Sequence, residues 1–385
     1  MSFCEPEERQ ALRRAVAELA GKYGRDYFVE KARTGGKTDE LWAEAGRLGY
    51  LGVAVPEEYG GGGGGIGDLA AVCEELGAGG CPLLLMVVSP AICATVIARF
   101  GTDDQRKRWL PGFAEGTTKM AFAITEPDAG SNSHRLTTTA RRDGDGWLLT
   151  GRKTYISGVD ECEAVLVVAR LAQEGDGRPR LGLFIVPTDA AGLEARELAM
   201  EIVSPEKQFM LFLDDVRLPA DALVGSEDAG LLQLFAGLNP ERIMASAFAL
   251  GIARYALARG TAYAKTRTVW DTPIGAHQAV AHPLAKAAVA IEAARLLTQK
   301  AAWLYDSGDD LAAGEAANMA KYAAGEAAVT AVDEAVQVHG GAGMTQEVGL
   351  AGMLTAARVA RMAPVSREMI LNFVAQHTLG LPKSY

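Results

Sequence analysis

Two short stretches of this chain carry residue types that could lie against a flat conjugated ring and hold its polar edge. In "MAFAITEPDAGSN", Met120 to Asn132, an apolar strand ends at Thr125, Glu126 and Pro127 and runs into a Gly130–Ser131 turn. Such a strand can cover a ring face, while the turn offers backbone N–H groups and hydroxyls. In "GRKTYISG" the two-residue period of a strand puts Tyr155 and Ser157 on one side, an aromatic face beside a hydroxyl. Either stretch alone also fits an ordinary β-hairpin.

A third stretch, "VPEEYGGGGGGIGDL", contains G-x-G-x-x-G at Gly60, Gly62 and Gly65. That pattern cradles a pyrophosphate when it joins a strand to a helix in a βαβ unit, with an acid about twenty residues later for a ribose. Residues 76 to 98 contain no acid. The glycines are instead expected to form a flexible turn before the helix "DLAAVCEELG".

The elements that must position these groups come in three blocks. Residues 1–118 read as an N-terminal helical domain, with Leu12, Val16 and Leu19 on one face and Thr102 capping "DDQRKRWLPGF". Residues 119–225 read as a central β domain, in which "TTTARRDGDGWLLTG" forms two strands about an Asp-Gly turn. Residues 226–385 are Ala-rich and helical, and Leu284, Ala288, Ile291, Arg295, Leu296 and Leu304 trace a stripe on one helix.

Composition narrows the function classes. The chain has 385 residues and 40.6 kDa, enough for two or three domains. Its 38 basic and 48 acidic residues leave a net charge of −10, which argues against a nucleic-acid binder held by counterion release. Five cysteines without C-x-x-C spacing suggest neither a disulfide framework nor a metal site, and fit a reducing compartment. The acidic start "MSFCEPEERQ" carries no secretory signal, so a cytoplasmic protein starting at Met1 is expected. The uncharged run Leu76–Ala98 is broken by glycines and prolines and reads as a buried helix pair, with no membrane insertion.

Joined by "YAKTRTVWDTPIGAHQAV" and, far downstream, "AVQVHGGAGMTQE", these motifs make the sequence resemble the acyl-CoA dehydrogenase family over nearly its whole length. The resemblance implies a mainly α fold with a central β-barrel-like domain and a C-terminal four-helix bundle. It also implies a homotetramer built as a dimer of dimers, with FAD extended across a subunit boundary. By position, Phe122, Ile124 and Thr125 would line the isoalloxazine and its pyrimidine edge, Tyr155 would stack on the ring, and Ser157 would bond near N5. Gly130 and Ser131 match the turn meeting flavin and acyl-CoA. From the neighbouring subunit, Arg267, Gln278, Gln337, Gly340 and Gly341 match the cradle for pyrophosphate and adenosine, a task suited to the planar fork of arginine. His277 and His339 are expected to pack and hydrogen-bond. The chain departs from the family at Ser157 for Thr, Trp270 for Phe, Asp271 for Gly and Met344 for an aromatic residue.

Most members of the family carry the catalytic base in a Tyr-Glu-Gly-Thr motif just before a helix, which here reads "REMILNFVA". Aligning Glu368 with the glutamate of that helix puts Pro364 at the base position, and proline cannot take a proton. The isovaleryl and long-chain types place the base on a helix opening the C-terminal domain, directly before an arginine. Glu241 before Arg242 in "GLNPERIMASAFALGIARYAL" matches that place. The resemblance therefore implies Glu241 as the base, Glu368 as runner-up, and Ser131, Asn239 and Arg242 at the substrate. Locally, Asn239 reads as a cap, Pro240 as the first helical residue and Glu241 as part of the first turn, where an acid also serves the helix dipole alone.

The activity so implied is α,β-dehydrogenation of an acyl-CoA to a trans-2-enoyl-CoA, with electron-transferring flavoprotein as acceptor. The alternatives are an oxidase, a biosynthetic desaturase of the same fold, or a silent flavin- and CoA-binding relative.

Overall fold

The computed structural model describes residues 5–171, 180–228 and 230–383. Its first third is helical: α1 (Glu7–Thr34), α2 (Asp39–Arg47), α3 (Ile66–Ala78), α4 (Leu85–Val88), α5 (Ala94–Phe100) and α6 (Asp103–Glu115). Val16 and Leu19 of α1 are buried and Leu12 packs against the same core. Thr102 caps α6 by accepting the Gln105 N–H at 3.2 Å, and the Gln105 side chain accepts the Thr102 N–H at 3.0 Å, so two orphan donors are satisfied reciprocally.

The uncharged run ends α3 and then forms α4, a π-helical turn at Ser89–Cys93 and α5, all largely buried. No helix among the described residues is long and apolar enough to cross a membrane.

The glycine run is neither a phosphate loop nor a flexible turn. Gly62, Gly63 and Gly64 donate backbone hydrogen bonds to Gly52, Val55 and Val53, and a Cβ on Gly61 would lie 2.1 Å from the Val55 carbonyl oxygen. The N-terminus of α3, where a phosphate would bind, is already taken. The Asp306 carboxylate accepts from Ile66 N at 2.7 Å and Gly67 N at 3.0 Å.

The middle of the chain is an eight-stranded sheet: β1 (Met120–Ala123), β2 (Thr139–Asp143), β3 (Gly146–Ser157), β4 (Ala164–Leu171), β5 (Arg180–Pro187), β6 (Leu193–Leu198), β7 (Gln208–Leu218) and β8 (Leu223–Val224). The order is β6-β7-β3-β2-β4-β5-β8, with β1 beside β4. The β2–β3 hairpin turns at Gly144–Asp145, between the paired Asp143 and Gly146, with Gly144 at φ +59°. β1 pairs with Ala164–Val167 of β4, and β2 with Arg170 and Leu171 of the same strand. The chain between β1 and β2 must therefore leave the sheet, which puts Thr125–Asn132 outside it.

The last part holds α7 (Gly230–Thr266), a two-stranded ribbon of β9 (Thr268–Val269) and β10 (Thr272–Pro273), α8 (Gln278–Asp306), α9 (Asp310–His339), α10 (Met353–Met362) and α11 (Arg367–Phe373). Small residues let these helices approach closely: a Cβ on Gly260 of α7 would stand 3.2 Å from Ala335 Cα of α9. The buried stripe of α8 is Leu284, Ala287, Ile291, Ala294, Thr298 and Ala301. Ala288 and Leu296, expected inside, are exposed. In a helix this rich in alanine two neighbouring stripes are almost equally apolar, and packing selects between them.

Candidate active site

The stretch expected to cover a ring is held by a buried ion pair. Lys153 on β3 and Glu126, just past β1, have side chains 0% and 2% exposed and meet at 2.9 Å. Lys153 Nζ also donates to the Ile124 carbonyl at 3.0 Å, while Glu126 accepts from Thr137 N, Thr137 Oγ1 and Thr138 N at 2.6–2.9 Å. Burial pushes the Glu126 carboxyl up, but the hydrogen bonds from Thr138 and the charge of Lys153 outweigh it and hold the group down at about 2. Burial draws Lys153 down to about 8 against the pull of Glu126. The pair fixes where Ile124 and Thr125 leave the sheet. The two-residue period would put Lys153 on the side of Tyr155 and Ser157, so no local pattern in "GRKTYISG" marks it as inward.

Thr154 N donates to the Thr125 carbonyl at 2.9 Å, which sets Tyr155 beside Thr125. Tyr155 is 62% exposed and stands at φ +58°, rare for a bulky residue. The β3–β7 register slips between Lys153 and Ile156, so a bulge rather than the plain two-residue period turns Tyr155 outward. Ile156 is buried and Ser157 half-buried. The Ser157 hydroxyl exchanges hydrogen bonds with the Gln208 side chain at 3.0–3.1 Å. Phe122 is 8% exposed, Ile124 and Thr125 are half-buried, and Gly130 and Ser131 are exposed.

Glu241 lies deep within α7 rather than at its start. The helix is already formed at Gly230, so Asn239 caps nothing and Pro240 is internal. Proline has no N–H, which frees the carbonyl four residues earlier, and the Tyr305 hydroxyl takes that Ala236 oxygen at 3.2 Å. Asn239 Nδ2 donates to the Asp310 carbonyl at 2.9 Å and its Oδ1 accepts from Arg242 Nη1 at 3.1 Å. Both polar ends of Asn239 are thus used inside the fold.

One turn before Glu241, Gly237 lets α7 press onto the π-helical turn and α5: a Cβ there would lie 3.1 Å from Ile92 Cγ2 of the turn and 2.9 Å from Val96 Cγ2 of α5. That turn is fastened to β1, because Ser89 Oγ accepts from Met120 N at 3.0 Å and Cys93 Sγ approaches the Met120 and Ala121 carbonyls at 3.6–3.7 Å. The Glu241 charge reaches Cys93. Glu241 and the start of β1 therefore border the same turn.

Glu241 is half-buried, flanked by the fully buried Ile243 and Met244, and accepts no hydrogen bond from the described residues. Burial raises its carboxyl to about 7, against the opposing charges of Arg242 and Lys321. Lys321 on α9, 2% exposed, donates from Nζ to the Val365 carbonyl. In "ANMAKYAAG" it is a lone lysine with no local mark of its burial. Glu368 is exposed, paired with Arg367 at 3.1 Å.

The remaining candidates gather at one end of the bundle, where α7 ends, α8 begins and α9 ends. Ile274 N donates to the Arg267 carbonyl at 2.8 Å, and Tyr263 stacks on His339 at 4.2 Å. Buried His339 also places Nδ1 2.7 Å from the Ala335 carbonyl. Arg267, Gln278 and Gln337 are exposed, and their side chains make no hydrogen bond to described residues. His277 Nε2 is buried without a partner there. Gly340, at φ +57°, and Gly341 have open space where a Cβ would stand. An unpaired guanidinium, two free amides and bare backbone fit an anionic, phosphate-bearing group such as the diphosphate of FAD. Among the described residues no cluster of His, Cys, Asp or Glu could hold a metal ion.

A helical block, a sheet with an open aromatic platform and an Ala-rich bundle with an exposed arginine and free amides at one end define a protein fit to hold a flat ring and an anionic group. Family models match residues 6–117, 121–216 and 228–379 as the acyl-CoA dehydrogenase N-terminal, middle and C-terminal domains. The chain belongs to the acyl-CoA dehydrogenase family, whose members are FAD-dependent oxidoreductases. It is 64% identical over 384 residues to acyl-CoA dehydrogenase FadE12 of Mycobacterium tuberculosis, covering 100% of this chain and 99% of that protein. Among solved structures, glutaryl-coenzyme A dehydrogenase in complex with glutaryl-CoA matches with TM-score 0.94 and 30% identity, over 100% of this chain and 98% of that one. A Mycobacterium smegmatis glutaryl-CoA dehydrogenase in complex with FADH2 matches with TM-score 0.89 and 27% identity, over 99% and 96%.

Proposed function

We propose that this protein removes one hydrogen from each of the α and β carbons of an acyl-CoA thioester, with Glu241 as the group that takes the α-proton. The observation that carries this reading is a carboxyl raised to about 7 on α7, without a hydrogen-bond partner among the described residues. The alternative positions argue the same way, since Pro364 has no titratable group and Glu368 faces solvent beside Arg367.

The chemistry asks three things of these residues. A thioester α-proton is a weak acid, so its acceptor must be ionised and poorly solvated. Ile243 and Met244 limit water around Glu241, while Arg242 and Lys321 keep its anion accessible near neutral pH. As the α C–H bond breaks, its electron pair forms the C=C bond, the β-hydrogen leaves with its own pair, and Glu241 holds the proton. FAD, when bound, supplies the acceptor for that hydride. Phe122, Ile124, Thr125, Tyr155 and Ser157 would hold its ring, and Arg267, Gln278, Gln337, Gly340 and Gly341 of a second protomer its diphosphate and adenosine. Gly130 and Ser131 would meet both flavin and substrate, and Asn239 would act through Arg242. Electron-transferring flavoprotein as acceptor and a homotetramer complete the reading.

The test is Glu241→Gln in the FAD-loaded enzyme. Enoyl-CoA formation is expected to fall about a hundred- to ten-thousand-fold with flavin content unchanged. An undiminished rate would remove Glu241 from the role.

A further inference from the structure

We propose that Lys321 is a positioning residue for the base: its ammonium group fastens the Pro364–Val365 crossing to α9 and, from the same seat, holds a positive charge against Glu241. The proposal rests on Glu241 being the base.

Helices α7 and α9 advance in step, with Asn239 against Asp310 and Gly314 near their starts and Gly260 against Ala335 near their ends. Lys321 therefore stands about a turn beyond Glu241 and Arg242. Side chains on a helix lean toward its N-terminus, so the lysine stem points back at them. Its neighbours in charge are Arg242 and Glu241 of α7, Glu368 of α11 and Glu326 of α9 itself.

The seat is built. Glu326 binds Arg361 at 2.7 Å and Arg367 at 3.2 Å, pinning the chain on both sides of residues 363–366. A Cβ on Gly325 would lie 2.6 Å from the Ala360 carbonyl oxygen, so α10 meets α9 in close contact one turn past Lys321. Between these pins, Lys321 Nζ donates to the Val365 carbonyl. An ammonium has three donors, and a carbonyl does not neutralise it.

No carboxylate makes an ion pair with it among the described residues, and which of the three nearby its charge serves follows from their other partners. Glu326 already serves two arginines, and Glu368 is exposed and paired with Arg367. With proline at 364, the crossing itself brings no acid. Glu241 alone of the three is unpaired among the described residues. Burial draws Lys321 down to about 8, Arg242 adds to the effect, and Glu241, Glu368 and Glu326 oppose it. In return, the lysine lowers a carboxyl that burial raises to about 7.

Three variants separate the tether from the charge. Lys321→Gln keeps a donor for the Val365 carbonyl and loses the charge, Lys321→Met loses both, and Lys321→Arg keeps the charge. The readout is the pH dependence of kcat/KM in the FAD-loaded enzyme with an acyl-CoA. Lys321→Gln is expected to move the acid limb up by about one pH unit, an approximately tenfold lower rate at pH 6, with flavin content unchanged. Lys321→Met should do the same and also melt earlier, and Lys321→Arg should keep the wild-type limb. A wild-type limb in a flavin-loaded Lys321→Gln enzyme overturns the proposal, as does an Arg variant displaced like Gln. Full activity in Glu241→Gln would remove the base assignment and this role together. An inactive Glu241→Gln beside an unmoved Lys321→Gln limb removes the lysine's role alone.

Discussion

At position 241 a carboxyl is kept where its charged form is disfavoured, and that has a cost in stability with a definite sign. Its folded value, about 7, lies above the ordinary glutamate range, so the folded state binds the proton more tightly than the unfolded chain. The penalty is absent below the unfolded value and complete above about 7. Glu241→Gln should therefore stabilise the enzyme at pH 8 by on the order of 1–2 kcal/mol, a gain that fades as the pH falls toward 5. Urea midpoints of variant and wild type at both pH values check this. A constant difference between them would show that ionisation is not the cause. Glu206 is raised to the same range by burial while accepting from Leu84 N at 2.7 Å, so comparison at each pH isolates Glu241.

Helix α7 has to carry that residue past an internal proline. Pro240 is tolerated because the Tyr305 hydroxyl of α8 satisfies Ala236, and Arg99 donates to the same hydroxyl at 3.1 Å. Tyr305→Phe leaves a carbonyl without its donor, with an expected loss of about 1–3 kcal/mol. Because the freed turn is the one before Glu241, kcat should fall as well, by a factor well short of Glu241→Gln. Melting temperature and turnover of the loaded enzyme decide it, and an unchanged melting temperature would make the hydroxyl dispensable. Strain at another element shows in the β9–β10 turn. Trp270 and Asp271 both have positive φ, +50° and +62°, the two-residue hairpin geometry that favours Asn-Gly. Asp271 stands where the family resemblance implies glycine.

At the scale of the whole molecule, the ring platform and the diphosphate cradle lie on different parts of the chain, and the proposed FAD joins them across two protomers. This gives a complementation test. Glu241→Gln lacks the base and Arg267→Ala lacks the guanidinium, but a mixed dimer contains one unaltered site. Co-expression of the two inactive forms should recover about a quarter of wild-type activity at random pairing. Activity no higher than the sum of the parents would mean that both residues serve a flavin held by one chain.

The amino-acid sequence determined the kinds and order of the elements, because those depend on neighbours a few residues apart. The β-rich run "AVLVVARL", the Asp143–Gly146 hairpin and the Thr102–Gln105 cap are all local. The long motifs around Thr125, Tyr155, Arg267 and Gln337, each a run of neighbouring residues, carried the resemblance to a flavin-dependent family. Tertiary structure decided what depends on distant partners. Asp306, 240 residues from Ile66, closes α3 and rules out a phosphate at the glycine run. The start of α7 before Pro240 and the stripe of α8 were set by packing, since alanine leaves several helix faces equally apolar. Lys321 meets Val365 across 44 residues, and no local pattern tells a buried ammonium from a solvated one. Burial and charge pairing are properties of the assembled interior, and they set the chemistry of Glu241.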